Sequence, residues 1–140
     1  MTTTIEQIKS AYTVIERKMR ENKAMECIEE FYHDDIIMID SDQKGGYLTT
    51  TGIESVTKHE AGFFACIKAM NEHKLIHMVI CNSDLPEYDF VVFATWSFDM
   101  DMDFGGGITK YKSDQASTSY WKDGKVAKER FFNPATVFSV

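Results

Sequence analysis

The last quarter of the chain predicts a long β-hairpin, and this feature constrains the fold more than any other. Strand-like sequence runs through residues 109–132 and is interrupted only by Lys-Asp-Gly-Lys at positions 122–125. An Asp-Gly pair between two strands fits a type I′ turn, because glycine tolerates the positive φ that other residues resist. A further strand-like run at residues 88–104 leads into the hairpin through three consecutive glycines. The second half of the chain therefore predicts long, neighbouring antiparallel strands.

Side chains along these strands alternate between an apolar face and a polar one. From Trp96 onwards every second residue is Trp, Phe or Met, while Ser97 and three aspartates take the opposite face. On the next strand Ser117 and Trp121 share a face, where small polar residues indicate either a pocket or a solvent-facing sheet. The alternating aspartates stand about 7 Å apart, which is too far for three of them to chelate one ion. We therefore expect no metal site on these strands.

The first half of the chain combines helices with strands. Thr4 followed by Gln7 has the form of a capping box, and an apolar stripe at spacings of three and four continues from it as a helix. A short second helix, a buried strand at residues 36–40, a third helix at residues 52–71 and then four strands follow. This order predicts an α+β fold with helices on one face of an antiparallel sheet. Strands this long coil strongly, so the sheet should curl around the helices and leave a cavity.

Composition excludes several classes of partner. The formal net charge of -7, from 15 Lys and Arg against 22 Asp and Glu, repels nucleic-acid phosphates and anionic membranes, so neither is expected to bind. The first residues lack a secretion-signal pattern, and no apolar run approaches bilayer length. Cys27, Cys66 and Cys81 are odd in number and irregularly spaced, which indicates reduced thiols of a cytoplasmic protein.

Three stretches resemble the nuclear transport factor 2-like superfamily, which includes ketosteroid isomerase, scytalone dehydratase and the SnoaL-like polyketide cyclases. They are Phe-Tyr-His-Asp-Asp-Ile-Ile-Met-Ile-Asp at residues 31–40, Gly-Ile-Glu-Ser-Val at 52–56 and Tyr-Trp-Lys-Asp-Gly-Lys-Val at 120–126. With the element order, the resemblance extends over nearly the whole chain. It implies one SnoaL-like domain over residues 1–140, with a cone-shaped, curved antiparallel sheet wrapped around N-terminal helices, a cystatin-like arrangement. It also implies a homodimer and a pocket for a small hydrophobic, polyketide-like or steroid-like molecule.

The resemblance gives a role to Asp40, which falls where ketosteroid isomerase keeps its general-base aspartate. Burial raising the pKa of this carboxyl towards neutrality would favour proton abstraction. The alternative is an aspartate that opens a turn at a strand end. The other isomerase residues do not transfer, because Glu16 holds the position of the oxyanion-hole tyrosine and Ser117 that of the protonated carboxyl. Steroid isomerisation itself is therefore not expected, since an oxyanion hole usually makes the larger catalytic contribution.

Other side chains are candidates for the wall of the predicted pocket. Glu60 lies on the apolar face of the third helix, with His59 beside it and Phe63 nearby. Adjacent helix positions point about 100° apart, so His59 and Glu60 are not both expected to face one small pocket. Either is alternatively a hydrogen-bonded polar group at the edge of the core. The aromatic candidates, each of which alternatively belongs to the core, are Tyr12, Tyr32, Trp96 and Trp121.

Two functions fit these predictions. The first is an isomerase, dehydratase or cyclase that uses neither cofactor nor metal and transfers protons with Asp40 as its base. The second is a non-catalytic module that binds a ligand in the same pocket or associates through the outer face of the sheet. On that face Tyr120, Thr118 and Ala116 suit a self-complementary dimer of sheets.

Overall fold

Three helices and six strands make up the computed structural model, which describes residues 2–41 and 46–132. In chain order the elements are α1 Ile5–Arg20, α2 Ala24–Phe31, β1 Tyr32–Ser41, β2 Tyr47–Thr51, α3 Ile53–Phe64, β3 Ile67–Asn82, β4 Phe90–Asp103, β5 Ile108–Lys122 and β6 Lys125–Phe132. The predicted α+β class is confirmed. In the described part of the chain, every helix is too short or too polar to cross a membrane.

The described strands form one curved, open sheet in the order β2-β1-β6-β5-β4-β3. Neighbours run antiparallel except β1 and β6, which are parallel, so the sheet is mixed where the sequence predicts a wholly antiparallel one. The predicted hairpin is β5–β6, and Asp123 and Gly124 adopt the positive φ values of 53° and 78° that its turn requires. Because β6 lies between β5 and β1, residues 125–132 meet the strand that carries Asp40.

Strand β3 begins at Ile67, although the sequence predicts a helix through residue 71. Its pairing with β4 shifts register at three places, where an extra residue enters one strand. The inward-facing residues at the start of the strand consequently stand three positions apart, as Ile67, Met70 and His73 do. A spacing of three imitates the apolar stripe of a helix, and the prediction for residues 67–71 was wrong for this reason.

Strand β2 lies where the sequence analysis predicts no strand. The local signal was three consecutive threonines at residues 49–51, since β-branched residues favour strands. This strand pairs with β1 so that Leu48 lies opposite Asp40, which places Asp40 inside a paired ladder. The loop predicted at residues 41–46 falls mostly outside the described residues.

Helix α1 closes over the inner face of the sheet. Its predicted capping box is confirmed, because Gln7 N donates to Thr4 Oγ1 over 3.2 Å and Thr4 N donates to Gln7 Oε1 over 2.8 Å. Further along, Ile8 and Tyr12 are buried in the main apolar cluster. A smaller cluster at the far end of the sheet consists of Ile67, Met100 and Met102. The helix and the two clusters define the interior in which a cavity remains.

Candidate functional site

A cavity of about 500 Å³ lies between the helices and the inner face of the sheet. Its wall includes Tyr12 and Trp96 from the main apolar cluster and Met100 and Met102 from the smaller one. Most of the lining is aromatic or aliphatic. The carboxyl and imidazole side chains on the wall are Asp40, His59, Glu60, His73 and Glu129.

All but one of the side chains predicted for the pocket lie on its wall. Those present are Tyr12, Tyr32, Asp40, His59, Glu60, Phe63, Trp96 and Ser117. The exception is Trp121, which is 1% exposed and lies in the core beside Tyr12, with ring centroids 6.2 Å apart. Trp121 and Val126 face each other at the closed end of the β5–β6 hairpin, so the tryptophan fills the core below the cavity.

Asp40 and His59 form an ion pair on this wall. The Asp40 Oδ2 atom lies 3.5 Å from His59 Nε2, and both side chains are partly exposed. Burial raises the pKa of the Asp40 carboxyl, whereas the charge of His59 and its hydrogen bond lower it. His59 therefore offsets part of the effect of burial on the Asp40 carboxyl.

Glu60 lies beside this pair and has the more strongly perturbed pKa. Burial raises the pKa of its carboxyl to about 8, with further contributions from the charges of Asp40 and Glu129. Glu60 is therefore mostly protonated at pH 7 and can donate a hydrogen bond. His59 and Glu60 both line the cavity, contrary to the sequence-based expectation, because long side chains one position apart on a helix converge on a space this wide.

Glu129 is a site residue that sequence reasoning missed. It is buried on β6, where it accepts hydrogen bonds from the Tyr32 hydroxyl and, over 2.5 Å, from Ser119 Oγ. Burial raises the pKa of Glu129, and these two hydrogen bonds lower it. A register shift near the hairpin turn puts Val126 and Glu129 on the same inner face. One sequence feature could have indicated it: the serines on one face of β5 predict a polar hydrogen-bond partner on the neighbouring strand.

Tyr12 and Tyr32 supply phenol groups that stay protonated. Burial is the main reason that the pKa of each hydroxyl is raised, and the nearby Glu129 carboxyl adds to it. Tyr12 also stacks on Trp96, with ring centroids 5.7 Å apart. Trp96 in turn donates from Nε1 to Ser117 Oγ over 3.4 Å. These residues form a rigid aromatic wall with hydroxyl groups at its edge.

His73 is the second residue missed by the sequence analysis. It is 6% exposed and stacks on Trp96 at a centroid distance of 4.8 Å. Burial is the main cause that lowers the pKa of its imidazole to about 4, so the ring is neutral at pH 7. Among the described residues its Nδ1 atom has no hydrogen-bond partner. Position 73 lies just beyond the third helix as predicted, residues 52–71, and the sequence analysis assigned it no inward orientation.

Asp40, His59 and Glu60 are also the residues that could hold a metal ion. Their ligand-type atoms all lie within 4.8 Å of one another. Atoms bound to one ion at ordinary distances of about 2.1 Å stand roughly 3 Å apart, so these side chains would have to close in around it. Glu60 would also have to lose its proton. The arrangement as it stands therefore suits proton transfer better than metal binding.

Carboxyl NMR is expected to find Glu60 titrating at about pH 8. In the Asp40→Asn variant its pKa should fall, because one neighbouring negative charge is gone, yet stay above the ordinary 4.5 because burial remains. Glu54→Gln, on an exposed position of the same helix, is the matched control and should leave this titration unchanged. A wild-type Glu60 that titrates at 4.5 would contradict the described environment.

No protein-family model and no curated protein matches the sequence, whereas solved structures do match the fold. A proposed isomerase from Bacillus subtilis matches with a TM-score of 0.71 at 15% identity, over 94% of this chain and 90% of that chain. A proposed SnoaL-like polyketide cyclase from Jannaschia sp. CCS1 has a TM-score of 0.69 at 12% identity, over 94% and 88%. TerC, co-crystallised with polyporic acid, has a TM-score of 0.60 at 19% identity, over 96% and 93%.

At these identities the likeness concerns the fold, and this fold carries many unrelated activities. The comparisons agree with the resemblance found in the sequence stretches around Asp40 and the β5–β6 turn. The chain therefore has the nuclear transport factor 2-like fold, in the form found in SnoaL-like and ketosteroid isomerase-like proteins.

Proposed function

We propose that this protein binds a small hydrophobic molecule in its cavity and transfers a proton on it, as an isomerase, dehydratase or cyclase that needs no cofactor. The observation that carries the proposal is the pair of carboxyls, Asp40 and Glu60, on one wall of a largely apolar cavity. The pKa of Glu60 is raised to about 8, and that of Asp40 is raised less because His59 offsets its burial. Environments that separate two pKa values in this way assign a base and an acid at one pH.

In the proposed step Asp40 is the general base. Its carboxylate takes a proton from a carbon next to a carbonyl group, so a C–H bond breaks, an O–H bond forms and the electron pair moves to the carbonyl oxygen. Glu60, protonated at pH 7, donates to that oxygen and stabilises its developing charge. Glu16, at the tyrosine position of the isomerases, instead accepts from Leu75 N over 2.6 Å, so Glu60 takes over the donor role.

The ligand of one structural neighbour supports the binding part of the proposal. TerC, which shares this fold, was co-crystallised with polyporic acid. A cavity of about 500 Å³ is in the range of pockets that enclose molecules of that size. A small hydrophobic, polyketide-like or steroid-like molecule is therefore the class of substrate that we propose.

Proton exchange with solvent tests the proposal without knowledge of the natural substrate. A panel of hydrophobic ketones is incubated with the protein in D₂O, and loss of the α-carbon proton signals is followed by NMR. We expect at least one ketone to exchange faster than in buffer, and the double variant Asp40→Asn/Glu60→Gln to abolish that acceleration. If the double variant still accelerated the exchange, residues other than Asp40 and Glu60 would be responsible. If the wild-type protein accelerated exchange with no ketone of the panel, the proposal would be contradicted.

We also propose association through the outer face of the sheet, the second function that the sequence predicts. Val79 and Phe93 lie opposite each other in the β3–β4 register and are 56% and 48% exposed. Phe93 in turn lies opposite Thr118, one of the residues predicted for a dimer. Apolar side chains in this arrangement suit a self-complementary sheet-to-sheet homodimer. Light scattering that finds only monomers at working concentration would contradict the proposed homodimer.

The state of the cysteines supports a cytoplasmic location, which we propose as well. Cys27, Cys66 and Cys81 are all free thiols. Unpaired cysteines are typical of reducing compartments, because disulfides form and persist in oxidising ones. Microscopy of a tagged chain checks the location.

A further inference from the structure

The cavity wall carries more acidic than basic side chains. Three carboxyl groups, those of Asp40, Glu60 and Glu129, face the cavity. Within the described residues no lysine or arginine lines it, and the basic side chains on its wall are His59 and His73. His73 stays neutral because burial lowers its pKa to about 4. An anionic ligand would therefore enter a space without a fixed cation, whereas a cation would meet acidic side chains.

The aromatic walls of the cavity favour the same sign of charge. Tyr12, Trp96 and His73 form a continuous stack, with centroid distances of 5.7 Å and 4.8 Å. Aromatic faces attract cations through their quadrupoles, most strongly where water is excluded. A hydrophobic body with a cationic nitrogen would bury its carbon atoms against these rings.

His73 is an independent sign that a ligand belongs in this space. Its side chain is more than nine-tenths buried and lines the cavity, and among the described residues its Nδ1 atom has no partner. A buried polar atom left unpaired destabilises the fold, so such atoms are rare in folded proteins. A ligand that approaches the stack with an N–H or O–H group would satisfy it.

We propose that the ligand of this cavity is a hydrophobic amine whose ammonium group is held by Asp40 and Glu60. This inference rests on the proposed binding function and names the substrate class, namely a molecule with a basic nitrogen and an apolar body. The two carboxylates compensate the cost of taking the ammonium out of water, and the aromatic stack holds the rest.

Binding of an amine should change the protonation of Glu60. Glu60 faces Asp40 on β1, Glu129 on β6 and Tyr32 at the start of β1, with His59 beside it on α3. In the empty cavity these surroundings keep it protonated, since its pKa is about 8. A bound ammonium favours the carboxylate, so at pH 7 binding should release about one proton per amine bound.

Three probes of one shape and different charge test the proposal. They are 4-phenylbutylamine, 4-phenylbutan-1-ol and 4-phenylbutanoate, titrated calorimetrically at pH 7 in buffers of different ionisation enthalpy. We expect the amine to bind at least about tenfold more tightly than the alcohol, as a charge-assisted contact allows, and the carboxylate to bind least. Proton release should accompany the amine alone.

Two variants show whether Glu60 is responsible. Glu60→Gln should weaken amine binding by about tenfold or more, abolish the proton release and leave the alcohol unchanged. Glu54→Gln makes the same substitution at an exposed position of the same helix and should change nothing. Equal effects of the two variants would overturn the proposal, because they would point to the general field of an acidic protein.

The outcomes separate this inference from the proposed function. If the alcohol or the carboxylate binds as tightly as the amine, or more tightly, the amine proposal is overturned. The ketone exchange assay then still tests the proposed proton transfer independently. Selective amine binding without any proton exchange supports the amine site and removes the catalytic function. Binding of none of the three probes also overturns the amine proposal, and the ketone assay still decides the proposed function.

Discussion

Asp40→Asn is expected to slow ketone proton exchange by about 10²–10⁴-fold, the usual contribution of a general base. The asparagine keeps the size of the side chain but has no carboxylate to take the proton. Its contact with His59 also changes from an ion pair to a neutral one, at a site where both partners are partly exposed. Exchange rates in D₂O, compared with thermal unfolding of the same variant, separate lost chemistry from lost structure.

The wild-type rate should depend on pH with two limbs. Towards low pH the rate should fall as Asp40 becomes protonated, at a pH above the ordinary aspartate value because burial raises its pKa. Towards high pH the rate should fall at about pH 8, where Glu60 loses the proton that it donates. Glu60→Gln should remove the high-pH limb alone, and Glu54→Gln neither. A rate that Asp40→Asn leaves within twofold would show that another group is the base.

Trp121→Ala is expected to lower the free energy of unfolding by about 3–5 kcal/mol, the usual cost of emptying a large aromatic site in a core. Trp121 is the largest of the fully buried side chains, at 1% exposure, and contacts Tyr12 of helix α1. Its removal would leave a space under the hairpin that the paired strands β5 and β6 cannot close without breaking their ladder. Urea denaturation followed by tryptophan fluorescence and circular dichroism measures the loss.

Trp121→Phe is the matched control for this prediction. Phenylalanine keeps much of the ring volume and an aromatic ring beside Tyr12. Its cost should therefore stay below about 2 kcal/mol, and binding of the amine probe should not change because Trp121 is not on the cavity wall. If Trp121→Phe weakened probe binding tenfold, the tryptophan would belong to the pocket, as the sequence analysis predicts.

Features that depend on neighbouring residues could be predicted from the sequence. The Thr4–Gln7 capping box involves residues three positions apart, and the turn at Asp123-Gly124 depends on the φ values of two adjacent residues. Both predictions are confirmed because their determining interactions are local. The start of β3 was predicted wrongly, because register shifts against β4 give its inward residues a helical spacing. Such shifts depend on the partner strand, which is far away in the sequence.

Some residues of the candidate site could likewise be predicted from the sequence, whereas others depend on tertiary contacts. Asp40 was a candidate through the resemblance, and His59 and Glu60 because polar groups are unusual on an apolar helix face. Glu129 escaped notice, since its surroundings come from β1 and β5 and an acidic residue on an alternating strand usually faces water. The pKa of about 8 at Glu60 likewise depends on Asp40 and Glu129, two carboxyls contributed by other elements.

By itself the sequence determined the class of fold, the start of its first helix, the tight hairpin and the negative charge of the chain, because each follows from composition or from residues close together. Only the tertiary structure decided that three carboxyls share one apolar cavity and that Trp121 lies outside it. The reason is physical: burial and Coulomb interactions depend on distances in space, and the parallel pairing of β1 with β6 brings together residues more than ninety positions apart.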